Sequence, residues 1–314
     1  MKLHHIRDVL AVAKFGSLRA AARHVGVVQP AITRSIQDIE RELGAALFER
    51  HSQGVRLTPI GEAFVKRASI IESELRRVRE EVDQLKGLST GNVTVALSLA
   101  STIALFPGTL TQFYKRFPDA KVRTLETLFP PIESDLLDGK VDVYIGALDD
   151  LTPISPRLVM EELFDNHRVI VARKDHPLMQ ATSIAELNNA RWAFGGLASP
   201  GFETDFEEWF SRVGLEQPKT VLHTRSALQT MLAVSSSDLL TMAPRQWLEL
   251  PILAERIHAL PIVPTTGSPP ICLVRQRGVP LTPMAEFFCD VVRRIARAYI
   301  KRSAPLNLEP VAAK

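Results

Sequence analysis

Gln29, Thr33, Arg34 and Gln37 are spaced to fall on one side of a helix whose other side carries Ile32, Ile36, Ile39 and Leu43. The apolar set recurs at i, i+4, i+7 and i+11, the stripe of a helix that packs on neighbours. Amide, hydroxyl and guanidinium groups gathered opposite such a stripe donate and accept hydrogen bonds at base edges and phosphates. The chemistry they point to is recognition of double-stranded DNA rather than catalysis. Ser17 reads as the N-cap of a preceding short helix, 18–25, which Gly26 stops. Pro30 stands in the first turn of the second helix and Gly44 ends it. Two short helices joined by a few residues with a glycine form a helix-turn-helix pattern. The alternative on these residues alone is a small helical bundle with a solvated polar face.

The run 48–58, Phe-Glu-Arg-His-Ser-Gln-Gly-Val-Arg-Leu-Thr, reads as a short hairpin with a polar tip. Placed directly after a recognition helix it is a wing, from which Arg50, His51, Gln53 and Arg56 reach backbone phosphates. Ser17, Arg19, Gln29, Pro30, Ala31, Thr33, Arg34, Gln37, Arg50, Gln53 and Arg56 are the candidate DNA-contacting set.

Beyond the hairpin, Phe64, Ala68, Ile71, Leu75, Val78, Val82 and Leu85 are spaced alternately by four and three. This is a continuous a/d seam, with Lys66, Glu72, Arg76, Arg77, Glu80 and Glu81 outside it. A helix over 59–87 is roughly 43 Å long at about 1.5 Å per residue. A second chain's helix is the economical cover for its stripe, and packing across its own domain is the alternative.

From about Gly91 the pattern changes to short β-rich runs alternating with helices. Strands are predicted at 93–99, 121–126, 142–147, 167–172, 192–194, 220–223, 239–242, 257–260 and 271–274. Helices are predicted at 103–117, 131–137, 202–213, 227–235 and 283–301. Such alternation gives α/β layers with largely parallel sheets, and there are enough strands for two. The predicted fold is α/β: an N-terminal all-α winged helix-turn-helix over 1–58 and a dimerisation linker helix over 59–88. Two α/β subdomains follow, 91–160 plus 268–302 and 161–267, with a frayed tail at 303–314.

A ligand in such layers sits at the carboxyl ends of strands near helix N-termini. Ser98, Ser101 and Thr102 close the first of these strands and open a helix, where hydroxyls and free amide N–H groups hold an anionic oxygen. Ser199 lies in a Gly-rich stretch after a strand, and Thr224 and Arg225 follow another, Arg225 suited to a carboxylate or sulfonate. Any one of these hydroxyls is more simply a helix cap. Three loops converging on one cleft favour the binding reading.

Composition agrees. The 314 residues are 46% hydrophobic and 23% charged, an ordinary soluble profile. The net charge of +3 divides unevenly: residues 1–90 hold fifteen Lys/Arg against eleven Asp/Glu, and the remainder is slightly acidic. No apolar run is long enough to span a membrane, and charged residues interrupt the N-terminal thirty where a signal peptide's apolar core would lie. Cytoplasmic residence is the expectation. Cys272 and Cys289, without CxxC spacing, read as reduced core thiols. GxGxxG after a strand, a Walker loop, GxSxG and HExxH are all missing, so neither an enzyme nor a cofactor or metal is expected.

The runs 16–22 (Gly-Ser-Leu-Arg-Ala-Ala-Ala), 29–33 (Gln-Pro-Ala-Ile-Thr), 39–50 (Ile-Glu-Arg-Glu-Leu-Gly-Ala-Ala-Leu-Phe-Glu-Arg) and 57–61 (Leu-Thr-Pro-Ile-Gly) together resemble the winged head of the LysR-type transcription regulators. The resemblance extends over about sixty residues without a gap. Two positions depart from the family pattern: Val28 stands where Ser or Thr is common, and Gln53 where the wing commonly has Arg. The resemblance implies a DNA-binding regulator whose linker helix dimerises the heads through Phe64, Ile71, Leu75, Val78, Val82 and Leu85. It further implies an inverted-repeat promoter site, a homodimer or homotetramer, and contact with RNA polymerase. The body resembles the family's effector domain, two subdomains joined by two crossovers like a periplasmic binding protein. The implied effector contacts are Ser98, Ala100, Ser101, Thr102, Gly146, Ser199, Thr224 and Arg225, with Ala100 at the usual hydroxyl position. The Ser/Thr and Arg donors make a small organic acid, aromatic or aliphatic, the expected effector class.

Overall fold

The computed structural model describes residues 1–51, 54–148, 152–194, 210–211, 219–224, 226–262 and 268–302, with Arg50 described for its backbone. The chain divides into two compact units, Met1–Lys86 with Asp138–Lys140, and Gly87–Leu137 with Val141 onward.

The first unit is built on three short helices, α1 (Leu3–Phe15), α2 (Leu18–Val25) and α3 (Gln29–Leu43). Val9, Val12, Ala21, Ala22, Ile32, Ile36, Ile39 and Leu47 form its core. The stripe of α3 is buried as its spacing requires, except at Leu43, which is 45% exposed because the helix ends there beyond the reach of α1. Gly26 takes φ 79°, a left-handed turn where a side chain is strained, and its N–H closes α2 onto Ala22 O. Strands β1 (Phe48–His51) and β2 (Gly54–Leu57) pair antiparallel with Phe48 opposite Leu57. The hairpin is pinned near its turn by Val55 N–H donating to Gly16 O at 3.0 Å.

Helix α4 runs Pro59–Leu85, 27 residues, about 40 Å at 1.5 Å per residue. Thr58 fastens it three ways: its hydroxyl accepts from Gly61 N–H (2.9 Å) and donates to Ala46 O (2.8 Å), and its N–H donates to Leu47 O (3.0 Å). Gly61 is buried in this turn, and a Cβ there would run into the Leu47 carbonyl.

The second unit holds two five-stranded sheets. The first has the order β4-β3-β5-β12-β6, from β3 (Asn92–Leu97), β4 (Lys121–Glu126), β5 (Val143–Ala147), β6 (Leu158–Phe164) and β12 (Ile271–Gln276). Helices α5 (Leu99–Arg116) and the C-terminal α8 (Pro283–Arg302) pack against it, with Phe113, Phe288, Leu105 and Cys289 fully buried; the short α6 (Glu133–Leu137) covers the other face with Tyr144 and Leu136. The second sheet has the order β11-β7-β10-β8-β9, from β7 (Arg168–Arg173), β8 (Arg191–Phe194), β9 (Lys219–His223), β10 (Leu239–Pro244) and β11 (Ile257–Ala259). Helix α7 (Ala227–Ser236) lies against it around Val171, Met231 and Trp247.

Three details depart from the sequence reading. The sheets are mixed rather than largely parallel: β12 runs antiparallel to both β5 and β6, and β7 antiparallel to both β10 and β11. The chain leaves the first sheet by β6 and returns by β12, so those strands must run opposite ways. Strand β6 was not expected, because Glu161 and Glu162 interrupt its apolar pattern; it lies at the sheet's edge, where they are tolerated. The strand predicted to reach 99 stops at Leu97, and α5 opens at Leu99 instead of 103, since Ser98 caps it. The helix predicted over 202–213 lies outside the described residues, apart from Phe210 and Ser211. Both thiols are buried and outside any disulfide, and burial pushes the Cys289 thiol up to about 12.

Gly61→Ala is expected to destabilise the first unit by about 1–3 kcal/mol, the usual cost of overpacking. Urea unfolding followed by circular dichroism measures it, with Ala63→Gly, an exposed neighbour, as the helix-propensity control.

Candidate nucleic-acid interface and effector cleft

Helix α3 buries Ile32, Ile36 and Ile39, with Ser35 beside them, and presents a chemically mixed outer face. Gln29, Pro30, Ala31, Arg34 and Gln37 are exposed, and Thr33 is partly so. The Thr33 hydroxyl donates to Gln29 O at 3.1 Å, which leaves its lone pairs outward. Val28, as N-cap, offers no side-chain acceptor and is 70% exposed, so the first amides of α3 have no hydroxyl over them. Free N–H groups at a helix N-terminus attract an anion such as phosphate. Ser17 caps α2, accepting from Ala20 N–H at 3.4 Å, and Arg19 beside it is exposed. In the wing, Arg56 is exposed on β2 and His51 ends β1 with Nε2 3.7 Å from a Glu49 carboxylate oxygen. The Arg50 backbone pairs with Val55; its side chain and Gln53 lie outside the described residues.

One positioning residue escaped the sequence reading. Glu40 lies in the C-terminal part of α3 and is outside the candidate set named above. Its carboxylate instead accepts from Leu47 N–H (2.7 Å) and Phe48 N–H (3.1 Å), tying the recognition helix to the first strand of the wing. Charge-assisted bonds of this kind are the strong ones. An acidic residue on the half-buried flank of α3, one turn from its end, is the sequence signal that marks it.

In the second unit, Ser98 to Thr102 open α5, and Thr224 stands just before α7. Ser98 and Ser101 are buried, their hydroxyls 2.9 Å apart, and Ser98 Oγ accepts from Ser101 N–H at 3.3 Å. Thr102 Oγ1 donates to Ser98 O at 2.9 Å. These hydroxyls hold the first turn of α5 as caps, the simpler reading for each, while their dipoles stay gathered at a helix N-terminus. Ala100 is buried among them. Leu99 and Ile103 of α5 lie against the apolar cluster of the second sheet, with Trp247 and Leu222. Thr224 Oγ1 lies 2.8 Å from Thr230 Oγ1 and 2.9 Å from Ser226 O, at the start of α7, whose N-cap is Ser226. Gly146 sits mid-strand in β5 under the Tyr144 ring, which occupies the space a Cβ would need. Burial raises the Tyr144 hydroxyl well above the usual tyrosine range. Ser199 and Arg225 lie outside the described residues.

Residues 3–62 match the family model described as the bacterial regulatory helix-turn-helix protein, lysR family, and residues 86–297 match the LysR substrate binding domain. The chain belongs to the LysR family. It is a LysR-type DNA-binding transcriptional regulator with a substrate-binding domain for its effector. Among its relatives, the RuBisCO operon transcriptional regulator of Allochromatium vinosum is 29% identical over 299 residues, covering 93% of this chain and 95% of that one. HTH-type transcriptional regulator TdcA of Escherichia coli is 26% identical over 243 residues, 77% of each chain. The fold is shared with CbnR, a LysR family transcriptional regulator, at TM-score 0.66 and 22% identity over 94% of this chain and 99% of that one. Full-length CbnR in complex with its target DNA matches at TM-score 0.67 and 22% identity, over 94% and 100%. The relatives are regulators rather than enzymes.

Glu40→Gln is expected to weaken DNA binding about tenfold, or ~1.4 kcal/mol, on specific and scrambled duplexes alike, because it loosens the wing without touching α3's outer face. Fluorescence anisotropy on both duplexes, beside a thermal melt, measures it; a loss confined to the specific duplex contradicts the clamp.

Proposed function

We propose that this regulator reads an inverted-repeat promoter site with α3 and the wing of paired heads, and that an organic acid bound between its two α/β subdomains resets the spacing of those heads. The observation that carries the reading is the outer face of α3: exposed Gln29, Arg34 and Gln37 opposite a fully buried isoleucine stripe. In this reading residues 1–58 meet DNA, with Ser17, Arg19, Gln29, Pro30, Ala31, Thr33, Arg34 and Gln37 at the major groove and its phosphates. Arg50, Gln53 and Arg56 grip the backbone from the wing.

Pairing falls to 59–88. Val78 is 56% and Leu85 74% exposed, and Ile71 and Val82 lie open beside them; Phe64 and Leu75 are half-buried. An uncovered row of this length on one helix favours a second copy as its cover. A groove of about 550 Å³ between α1 and α4, lined by Leu3, Ile6, Arg7, Leu75, Arg76 and Arg79 among others, supports the same assignment. The assembled species is a homodimer or homotetramer that engages RNA polymerase from cytoplasmic DNA.

The acid binds where α5 begins, between subdomain I (91–160 with 268–302) and subdomain II (161–267). Helix N-terminal amides and the Ser98, Ser101, Thr102 and Thr224 hydroxyl groups favour an oxyanion, and Arg225 supplies the countercharge. Closure of the cleft selects one of two arrangements of the oligomer, so affinity for effector and for one DNA geometry are linked.

A gel shift on the chain's own upstream intergenic DNA across a salt series is the first test. Specific retardation that weakens steeply with salt is expected. Gln37→Ala should relax base preference, while Arg56→Ala should weaken all sequences alike and lower the salt slope by about one. Loss of affinity in both without any change in preference refutes the groove assignment. Val78→Asp with Val82→Asp should convert the oligomer into smaller species in analytical ultracentrifugation; an unchanged sedimentation coefficient assigns α4 a different cover.

A further inference from the structure

A five-residue turn carries the second sheet onto two helices of the first. Strand β10 ends at Pro244, and the 3₁₀ turn Arg245–Glu249 follows it directly. The turn starts beside the crossing from β6, where Arg245 N–H donates to His167 O at 2.9 Å. By chain order it belongs to subdomain II, yet its side chains meet α5 and α8 of subdomain I. Trp247 is buried and Leu248 partly so, in the cluster that Leu99 and Ile103 of α5 join. Glu249, at the end of the turn, accepts from the Tyr299 hydroxyl of α8 at 2.5 Å.

Tyr299 is divided between the two subdomains. Its ring lies in the core of the first, 6% exposed, with the Phe164 ring 5.0 Å away between centres. Its hydroxyl ends on a carboxylate of the second. A phenol donating to a carboxylate makes a charge-assisted bond, stronger than a neutral one. Helices α5 and α8 pack antiparallel, with Phe113 against Phe288 and Gly108 facing Ile295. Tyr299 lies beyond Ile295 on α8, and so toward the start of α5. The bond and the Ser98–Thr102 cap therefore share one end of this helix pair.

We propose that the Tyr299–Glu249 hydrogen bond is a latch that holds the turn 245–249, and with it subdomain II, onto α5 and α8. Its release lets the cleft change state. This rests on the reading of the cleft as the effector site and names the bond through which that site is regulated. The packing of Trp247 on Leu99 and Ile103 is non-directional and survives small sliding. The hydrogen bond depends on length and angle, and does not. It is either made or broken, which suits a switch between two discrete arrangements.

The test uses the full-length protein with Tyr299→Phe, which keeps the ring in its core and removes the hydroxyl alone. Amide hydrogen exchange is followed by mass spectrometry in the native protein and the variant. Peptides over 245–250 and 99–105 are expected to exchange about three- to tenfold faster in the variant, the range for losing one partly exposed bond to a charged group. Peptides over β3 and β7, each flanked by strands on both sides, should keep native rates. Glu249→Ala, at an exposed position, should match Tyr299→Phe, and the double variant should go no further than either single one. In a footprint on the upstream intergenic DNA with no ligand added, both variants are expected to protect a different length from the native protein. Faster exchange throughout both sheets, or in neither segment, overturns the latch. Faster exchange confined to the two segments with a native footprint makes the bond a structural tie and overturns its regulatory role. These readouts use no effector, so the organic-acid reading of the cleft stands whichever way they fall.

Discussion

Burial of Ile32, Ile36 and Ile39 against α1 and α2 is the constraint from which the direction of α3's polar face follows. Each isoleucine contributes on the order of 1.5–3 kcal/mol by leaving water, more than any rotation of α3 could recover through its polar side chains. Once the stripe is seated, Gln29, Arg34 and Gln37 have one direction left to point. Glu40 then carries that orientation outward, because its carboxylate binds the two amides that begin the wing. Thr58 carries it further, by fixing the start of α4 to the same loop at Ala46 and Leu47. Helix, wing and linker are thus set relative to one another by one apolar stripe and two polar locks.

The second unit obeys a different constraint, that the chain crosses between its sheets twice. Strand β12 must return antiparallel beside β6. Asn166, which is buried, lies in the β6–β7 crossing. The same junction receives Leu99 and Ile103 from α5 and a hydrogen bond from Tyr299 on α8 to Glu249.

The neighbouring signals differ in how far they could be read. The wing was legible because its polar tip and glycine mark a hairpin. The α4 seam was legible because its spacing holds over seven positions, and the seam's outer half is open to solvent in the single chain. Strand β6 was not legible, since Glu161 and Glu162 break an apolar run that only an edge position tolerates. The first turn of α5 was misplaced by four residues, because Ser98 to Thr102 read equally as strand end and helix cap. Gly146 was assigned to ligand on resemblance, yet the strand uses it as the bed for the Tyr144 ring.

The sequence alone determined the family, the α/β class, and the second helix of the helix-turn-helix with its polar face, because these rest on periodicity and on contiguous motifs within a few turns of chain. Tertiary structure decided what depends on residues far apart in sequence. It made Glu40 a clamp on Leu47 and Phe48, turned the Ser98–Ser101 hydroxyls toward each other, and set Arg245 N–H on His167 O across nearly eighty residues. A hydrogen bond between distant segments leaves no periodic trace in the chain; it exists only once the burial of the apolar stripes has brought the partners together.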